Sequence, residues 1–273
     1  MNTLDPDNIR QTISRALGAR LEILEVFEEI ESTNSYLLDQ PAPPPGRFRV
    51  ALADYQTAGR GRLNRTWQSP PSSGLCLSMA YTFRQMRVKL PGLTLALGIG
   101  VIDALRRLDI SGIRLKWPND IIAHGGKLGG ILTEACQGAR KNLTVVTGIG
   151  LNVDLPDAMQ VLEKPTLTNK IVDLKDCTND PPSREKLSVA VIESLFDCMV
   201  RFESDGFASF HDDWKKVDWL FGRQIIVDQT DGRCAGIADG VDDDGALIVR
   251  TDQDRRRVIN GSITLRDDLD DIV

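Results

Sequence analysis

The sequence predicts an α+β fold: a large mixed domain over residues 1–220, then a small SH3-like β-barrel over residues 221–273. Three observations carry this. Residues 91–108 and 183–204 hold apolar patterns with helical spacing that are too long for strands. Short apolar runs lie before and between them and read as strands. After Trp219 the texture changes to short runs split by Asp231-Gly232 and Asp244-Gly245, both strong hairpin signals. A chain of 273 residues with 41% hydrophobic content can bury one large core and a smaller second one.

Taken in order, residues 7–17 place Ile9, Ile13, Ala16 and Leu17 on one helical face, and residues 21–30 read as a strand. Ser32-Thr33-Asn34 is a polar lead-in to a short helix over 35–39, with Ser32 or Thr33 as its N-cap. A Pro-rich loop covers 41–46, and 49–54 and 75–81 are apolar strands. Residues 56–74 between those strands are rich in Gly, Arg, Asn, Pro and Ser. They are long for a plain connection, and such loops are often functional lids. Next come a buried helix over 91–108 and strands over 113–116 and 120–123 around the Trp117-Pro118-Asn119 corner. His124-Gly125-Gly126 reads as a hairpin tip, followed by strands over 127–136 and 143–152. Residues 183–204 form an amphipathic helix, and 207–216 another with Phe207, Phe210 and Trp214 on one face. The C-terminal strands fall at 224–228, 232–239, 246–251 and 255–260.

Composition narrows the function classes. A net charge of -6 and a pI near 5.1 give no bulk attraction to DNA or anionic membranes, so neither is expected as a partner. The N-terminus carries Asp5 and Asp7 without an apolar core, and the longest apolar stretch, 93–102, is too short to span a bilayer; a cytoplasmic protein is expected. The five cysteines are odd in number and form no CxxC pair, which suits a reducing compartment. With two histidines, a His-rich metal site is excluded. Cys76 and Cys136 read as core, His124 as a turn residue, and the acidic runs 242–244 and 267–271 as solvated ends.

Three segments carry chemistry. Gln56 to Trp67 holds Gly59, Arg60, Gly61, Arg62 and Arg65, which supply close backbone approach and fork donors for phosphate oxygens, and Trp67 offers an aromatic face for a base. No GxxxxGK[ST] pattern occurs, so this is a phosphate lid rather than a P-loop; a solvated basic loop or an RNA-contacting segment is the alternative. Lys116 lies between apolar strand residues and the Trp-Pro corner, where a buried ammonium needs an anion: a substrate carboxylate, a phosphate, or structurally Asp120. Gly125-Gly126-Lys127-Leu128-Gly129-Gly130, with Glu134 beyond it, and Gly148-Ile149-Gly150 are glycine-marked strands, either a pocket wall or tight sheet packing.

Together these segments resemble the biotin–protein ligase family. The match runs in order through Glu31-Ser32-Thr33-Asn34, then Gly59-Arg60-Gly61-Arg62 with Arg65 and Trp67, then Lys116-Trp117-Pro118-Asn119-Asp120, Lys127-Leu128-Gly129-Gly130-Ile131-Leu132 and Gly148-Ile149-Gly150-Leu151-Asn152. It covers residues 22–266. The resemblance implies a class II synthetase-like catalytic domain with an SH3-like C-terminal domain. It implies an ATP-dependent ligase that forms biotinoyl-5'-AMP and passes the acyl group to a lysine of a biotin carboxyl carrier protein, of acetyl-CoA carboxylase or a related carboxylase. ATP and biotin are the implied substrates, with Mg²⁺, and the state is monomer or homodimer. Ser32, Thr33, Asn34 and Gln56 are implied to line the biotin head-group, with Arg60, Gly61, Arg62 and Lys116 completing the biotin site. Lys116 and Arg62 are the implied catalytic residues; Arg60, Arg62, Arg65, Trp67, Asn119, Lys127 and Asn152 face the nucleotide; and Asp120 is the candidate for the metal. The DNA-binding domain of the repressor-type members has no counterpart, so an enzyme without an operator role is expected. The alternatives are a lipoate–protein ligase and, in another class, an RNA-binding protein using the Arg/Gly loop.

Overall fold

The computed structural model describes residues 4–84, 90–137, 142–156, 170–229 and 232–266. Its first unit is a seven-stranded sheet in the order β1-β2-β3-β7-β6-β5-β4. The strands are β1 (Leu21–Ile30), β2 (Phe48–Gln56), β3 (Gly74–Thr82), β4 (Arg114–Lys116), β5 (Asp120–Ala123), β6 (Gly126–Gln137) and β7 (Leu143–Asn152). β1 and β2 run parallel and the other pairs antiparallel. β3 is buried at every position, as a central strand covered on both faces must be.

The pleat sorts residues between the two faces. Val50, Leu52, Leu77, Met79, Tyr81, Val145 and Ile149 join the main core with α4 (Leu93–Arg107) and α5 (Arg184–Asp205). Their neighbours Ala51, Ala80 and Val146 turn to the opposite face and pack against Leu37 of α3 (Thr33–Asp39). Fully burying a residue such as Leu97 contributes about 1.5–3 kcal/mol. Arg184 and Asp54, both nearly buried, form an ion pair at 2.6 Å that ties the start of α5 to β2.

The second unit is a five-stranded antiparallel sheet of β8 (Gln224–Gln229), β9 (Gly232–Val241), β10 (Leu247–Arg250), β11 (Arg255–Val258) and β12 (Ser262–Leu265), in the order β11-β10-β9-β8-β12. It docks on the first unit beside the Trp117–Pro118 corner, where Trp117 Nε1 donates to Gly245 O at 3.1 Å.

Three element expectations are corrected. The helix over 7–17 divides into α1 (Pro6–Thr12) and α2 (Arg15–Gly18), because Ile13 leaves helical geometry at ψ 136; Ile9, Ile13 and Leu17 are still buried while Ala16 is exposed. The helix over 207–216 begins as a 3₁₀ turn, Phe207–Phe210, before α6 (His211–Val217), although Phe207, Phe210 and Trp214 are all buried as one face. A fifth C-terminal strand, β12, was not expected. Cys136, expected in the core, is partly exposed. Asp231 and the acidic run 267–271 lie outside the described residues, and His124 and Gly125 form the β5–β6 turn with φ 48° and 74°. Among the described residues, no helix is long and apolar enough to cross a membrane.

Candidate active site

The site forms on the sheet face that carries α3, because that face is built from small residues. Cys76 stands opposite Gly150, and Gly150 opposite Gly130; Ser78 stands opposite Gly148, and Gly148 opposite Leu132. Large side chains there would fill the space. A cavity of about 420 Å³ remains, bounded by the 56–67 loop, the Trp117–Pro118 corner and the C-terminal sheet.

Its floor is a closed polar network. Ser32 caps α3 by accepting from Ser35 N at 3.4 Å. Thr33 donates from both N (2.8 Å) and Oγ1 (3.0 Å) to Gln56 Oε1, the last residue of β2. Ser78 Oγ donates to Asn34 Oδ1 at 2.6 Å and lies 2.7 Å from Thr33 Oγ1. Asn34 Nδ2 donates to Leu132 O at 3.3 Å and to Glu134 Oε2 at 3.0 Å. Ser32, Thr33 and Asn34 are all buried, so the network fixes their rotamers. Gly148 and Gly150 make room for it: a Cβ at Gly148 would overlap Asn34 Oδ1, and one at Gly150 would stand 2.5 Å from the Trp67 ring.

The roof is the arginine loop, folded into a small hairpin. Gly61 N donates to Arg65 O at 2.7 Å and Trp67 N to Gly59 O at 2.9 Å, with Leu63 and Asn64 left-handed at the tip. Arg60 forks onto Glu134, with Nη2–Oε1 at 2.7 Å and Nη1–Oε2 at 3.1 Å. Arg62 points inward and donates to Asn119 Oδ1 at 3.4 Å; burial pulls its pKa below the usual value, and Asp120 works against that. A guanidinium stays charged through such a shift.

Lys116 is 7% exposed on β4 and lines the cavity. Asp120 pairs with Lys127, Nζ–Oδ1 2.6 Å, and the same ammonium sits 6.0 Å from the centre of the Trp67 ring. The cavity therefore brings together Ser32, Thr33, Asn34, Gln56, Arg60, Gly61, Arg62, Arg65, Trp67, Lys116, Asn119, Asp120 and Lys127. Asn152 is not among them. It is buried, and its amide donates to Val172 O (2.9 Å) and Lys127 O (3.4 Å), so it holds the strand that carries Lys127.

Ser78, Cys76 and the segment from Gly261 into β12 at Thr264 also line the cavity, and no motif in the sequence marks them as site residues. Ser78, a hydroxyl amid apolar strand residues, was the one readable signal. Burial pushes the Cys76 thiol up to about 11, so it stays protonated and is no nucleophile. Among the described residues no group of three His, Cys, Asp or Glu is placed to hold a metal ion. What the site offers is an excess of positive charge from Arg62, Arg65, Lys116 and Lys127, offset in part by Asp120, above a floor of uncharged Ser32, Thr33, Asn34 and Gln56. That suits an anion joined to an uncharged polar body.

Comparison with known proteins matches this arrangement. The Biotin/lipoate A/B protein ligase family matches residues 26–152, and the Biotin protein ligase C terminal domain matches residues 220–266. The chain is 32% identical over 262 residues to the bifunctional ligase/repressor BirA of Escherichia coli, covering 95% of this chain and 78% of that one. It is 31% identical over 253 residues to the biotin–[acetyl-CoA-carboxylase] ligase of Mycobacterium tuberculosis, covering 90% of each. In structure it is similar to the biotin protein ligase of Aquifex aeolicus in complex with biotin and ATP, with TM-score 0.72 and 25% identity over 90% of this chain and 99% of that one.

Proposed function

The chain belongs to the biotin protein ligase family, and from that premise we propose that its cavity activates biotin with ATP and passes the acyl group to a carrier lysine. The observation that carries the reading is one cavity with a closed neutral floor and a cationic roof. In this reading a bicyclic urea sits on the floor of Ser32, Thr33, Asn34 and Gln56 with its carboxylate toward Lys116 and Arg62, all of which line the cavity.

Two negatively charged reactants must meet in the first step. A biotin carboxylate oxygen attacks the α-phosphorus of ATP, pyrophosphate leaves, and a mixed anhydride remains. Lys116 and Arg62 offset the charge that grows on the α-phosphoryl oxygens, a kind of stabilisation strongest in a site that excludes water. Arg60, Arg65, Asn119 and Lys127 hold the nucleotide phosphates and sugar, and Trp67 gives the base a flat face. In the second step the neutral amine of a biotin carboxyl carrier lysine attacks the acyl carbon and AMP departs. No enzyme nucleophile is required, in keeping with the protonated Cys76 thiol.

Mg²⁺ enters this scheme on the ATP phosphates, its ordinary carrier. A dedicated protein-held ion does not fit at Asp120, whose carboxylate is engaged by Lys127. The cytoplasm suits the five unbridged cysteines. The test is transfer: incubation with biotin, ATP and an apo carrier domain should add one biotinyl group to a single lysine, read by intact mass and peptide mapping. A carrier left unmodified by active preparations would contradict the reading.

A further inference from the structure

β6 carries a carboxylate that none of the recognised motifs contains. Glu134 stands opposite Val146, two residues beyond the cavity-lining Leu132 and on the same face. Its side chain is 24% exposed. Oε2 accepts from Asn34 Nδ2 at 3.0 Å and from Arg60 Nη1 at 3.1 Å, while Oε1 accepts from Arg60 Nη2 at 2.7 Å. One carboxylate thus holds a residue of the floor and the first arginine of the roof.

Among the described residues, Gln56 at the loop's stem accepts on Oε1 from Thr33 N and Oγ1 at 2.8 and 3.0 Å, and beyond the stem the other side-chain bonds to the body are longer: Arg60 to Ser35 Oγ at 3.3 Å and Arg62 to Asn119 Oδ1 at 3.4 Å. Its backbone bonds are made at its stem, Thr57 N to Ile30 O and Ala58 N to Glu31 O, or within the hairpin. A two-pronged guanidinium–carboxylate pair sets orientation as well as distance. Lost contact at Glu134 would therefore free the loop to pivot about its stem, and it would leave the Asn34 amide short of an acceptor beneath it. Arg60 is about two-fifths exposed, so the pair adds little to global stability; its effect falls on the loop's position.

We propose that Glu134 is a positioning residue: it seats the arginine loop over the cavity and so sets how long the acyl-adenylate stays bound. This rests on the biotin-ligase reading above. The test compares wild type with Glu134→Gln, which keeps the shape and one good acceptor, and Glu134→Leu, which removes both. Each is loaded with labelled biotin and ATP, separated from free ligand, and followed for loss of adenylate from the protein; the saturating first-step rate and the KM for biotin are measured alongside. Glu134→Leu should release adenylate about fivefold faster than wild type, with Glu134→Gln in between. KM should rise, and the saturating first-step rate should change less than the release rate. Wild-type residence times in both variants would overturn the proposal. If thermal unfolding shows that the Leu variant is misfolded, the Gln variant decides, and a wild-type residence time there has the same force. A wild-type protein that forms no adenylate from biotin would instead sink the parent reading and this one with it.

Discussion

In the proposed reaction Lys116 is the residue on which the chemistry turns. It is buried at the end of a three-residue strand and still reaches the cavity. On the proposed reading, removing it leaves the developing α-phosphoryl charge without its main stabilising cation. Lys116→Ala should slow adenylate formation by about 10²- to 10³-fold, the usual cost of a lost transition-state donor. Single-turnover measurement reads this, and a wild-type rate would withdraw the role. The glycines make a second prediction. Gly150→Val would drive a branched side chain into the Trp67 indole, so ATP affinity should fall and Trp67 fluorescence should shift, with biotin binding less affected. Lys116, Arg62 and the Ser32–Asn34 run were legible because each sits inside a compact run of unusual composition. Ser78 was not, and Glu134 was noted beside the glycine-marked run without its role, because their partners Asn34 and Arg60 come close only through strand register. Asn152 shows the converse: it lies within a matching run, yet its amide serves backbone carbonyls away from the cavity.

At the scale of elements, the arginine loop is the part most open to change. Its tip holds Leu63 at φ 54° and 69% exposed, a left-handed backbone that costs a non-glycine residue about 1–2 kcal/mol. A loop with so exposed and strained a tip, seated on the body beyond its stem chiefly by the Arg60–Glu134 pair, should yield to protease when the cavity is empty. Trypsin should cut after Arg60, Arg62 or Arg65 in the free protein and several-fold more slowly with biotin and ATP bound, since the ligand adds its contacts to the one pair with Glu134. Equal cutting in both states would mean that the loop is not a lid. Strands bounded by sharp turns, such as Leu21–Ile30, Asp120–Ala123 and Leu143–Asn152, were readable to the residue. The breaks at Ile13 and Phe210 were not, since the apolar spacing continues through them while the backbone changes course. β12 was missed because its alternation spans four residues, with Ile263 and Leu265 as its inward pair.

At the scale of the whole molecule, the C-terminal sheet is a wall of the site and not a separate appendage. Gly261 to Thr264 line the cavity, and Trp117, next to Lys116, donates to Gly245 O. Composition announced a second β-unit, but only the packing shows that it closes the site. Trp117→Phe would leave that carbonyl unpaired and should lower stability by about 1–3 kcal/mol, seen as an earlier urea midpoint. It should also weaken ATP use, because the wall loosens. An unchanged midpoint would mean that this bond contributes nothing to docking the two units. The choice of biotin over other carboxylic acids is the defining property of this cavity under the proposed function. Its most direct test is ATP–pyrophosphate exchange with biotin and lipoate compared side by side on the full chain. Exchange that depends on biotin and is absent with lipoate is the predicted result; exchange driven by lipoate, or by neither acid, would contradict it.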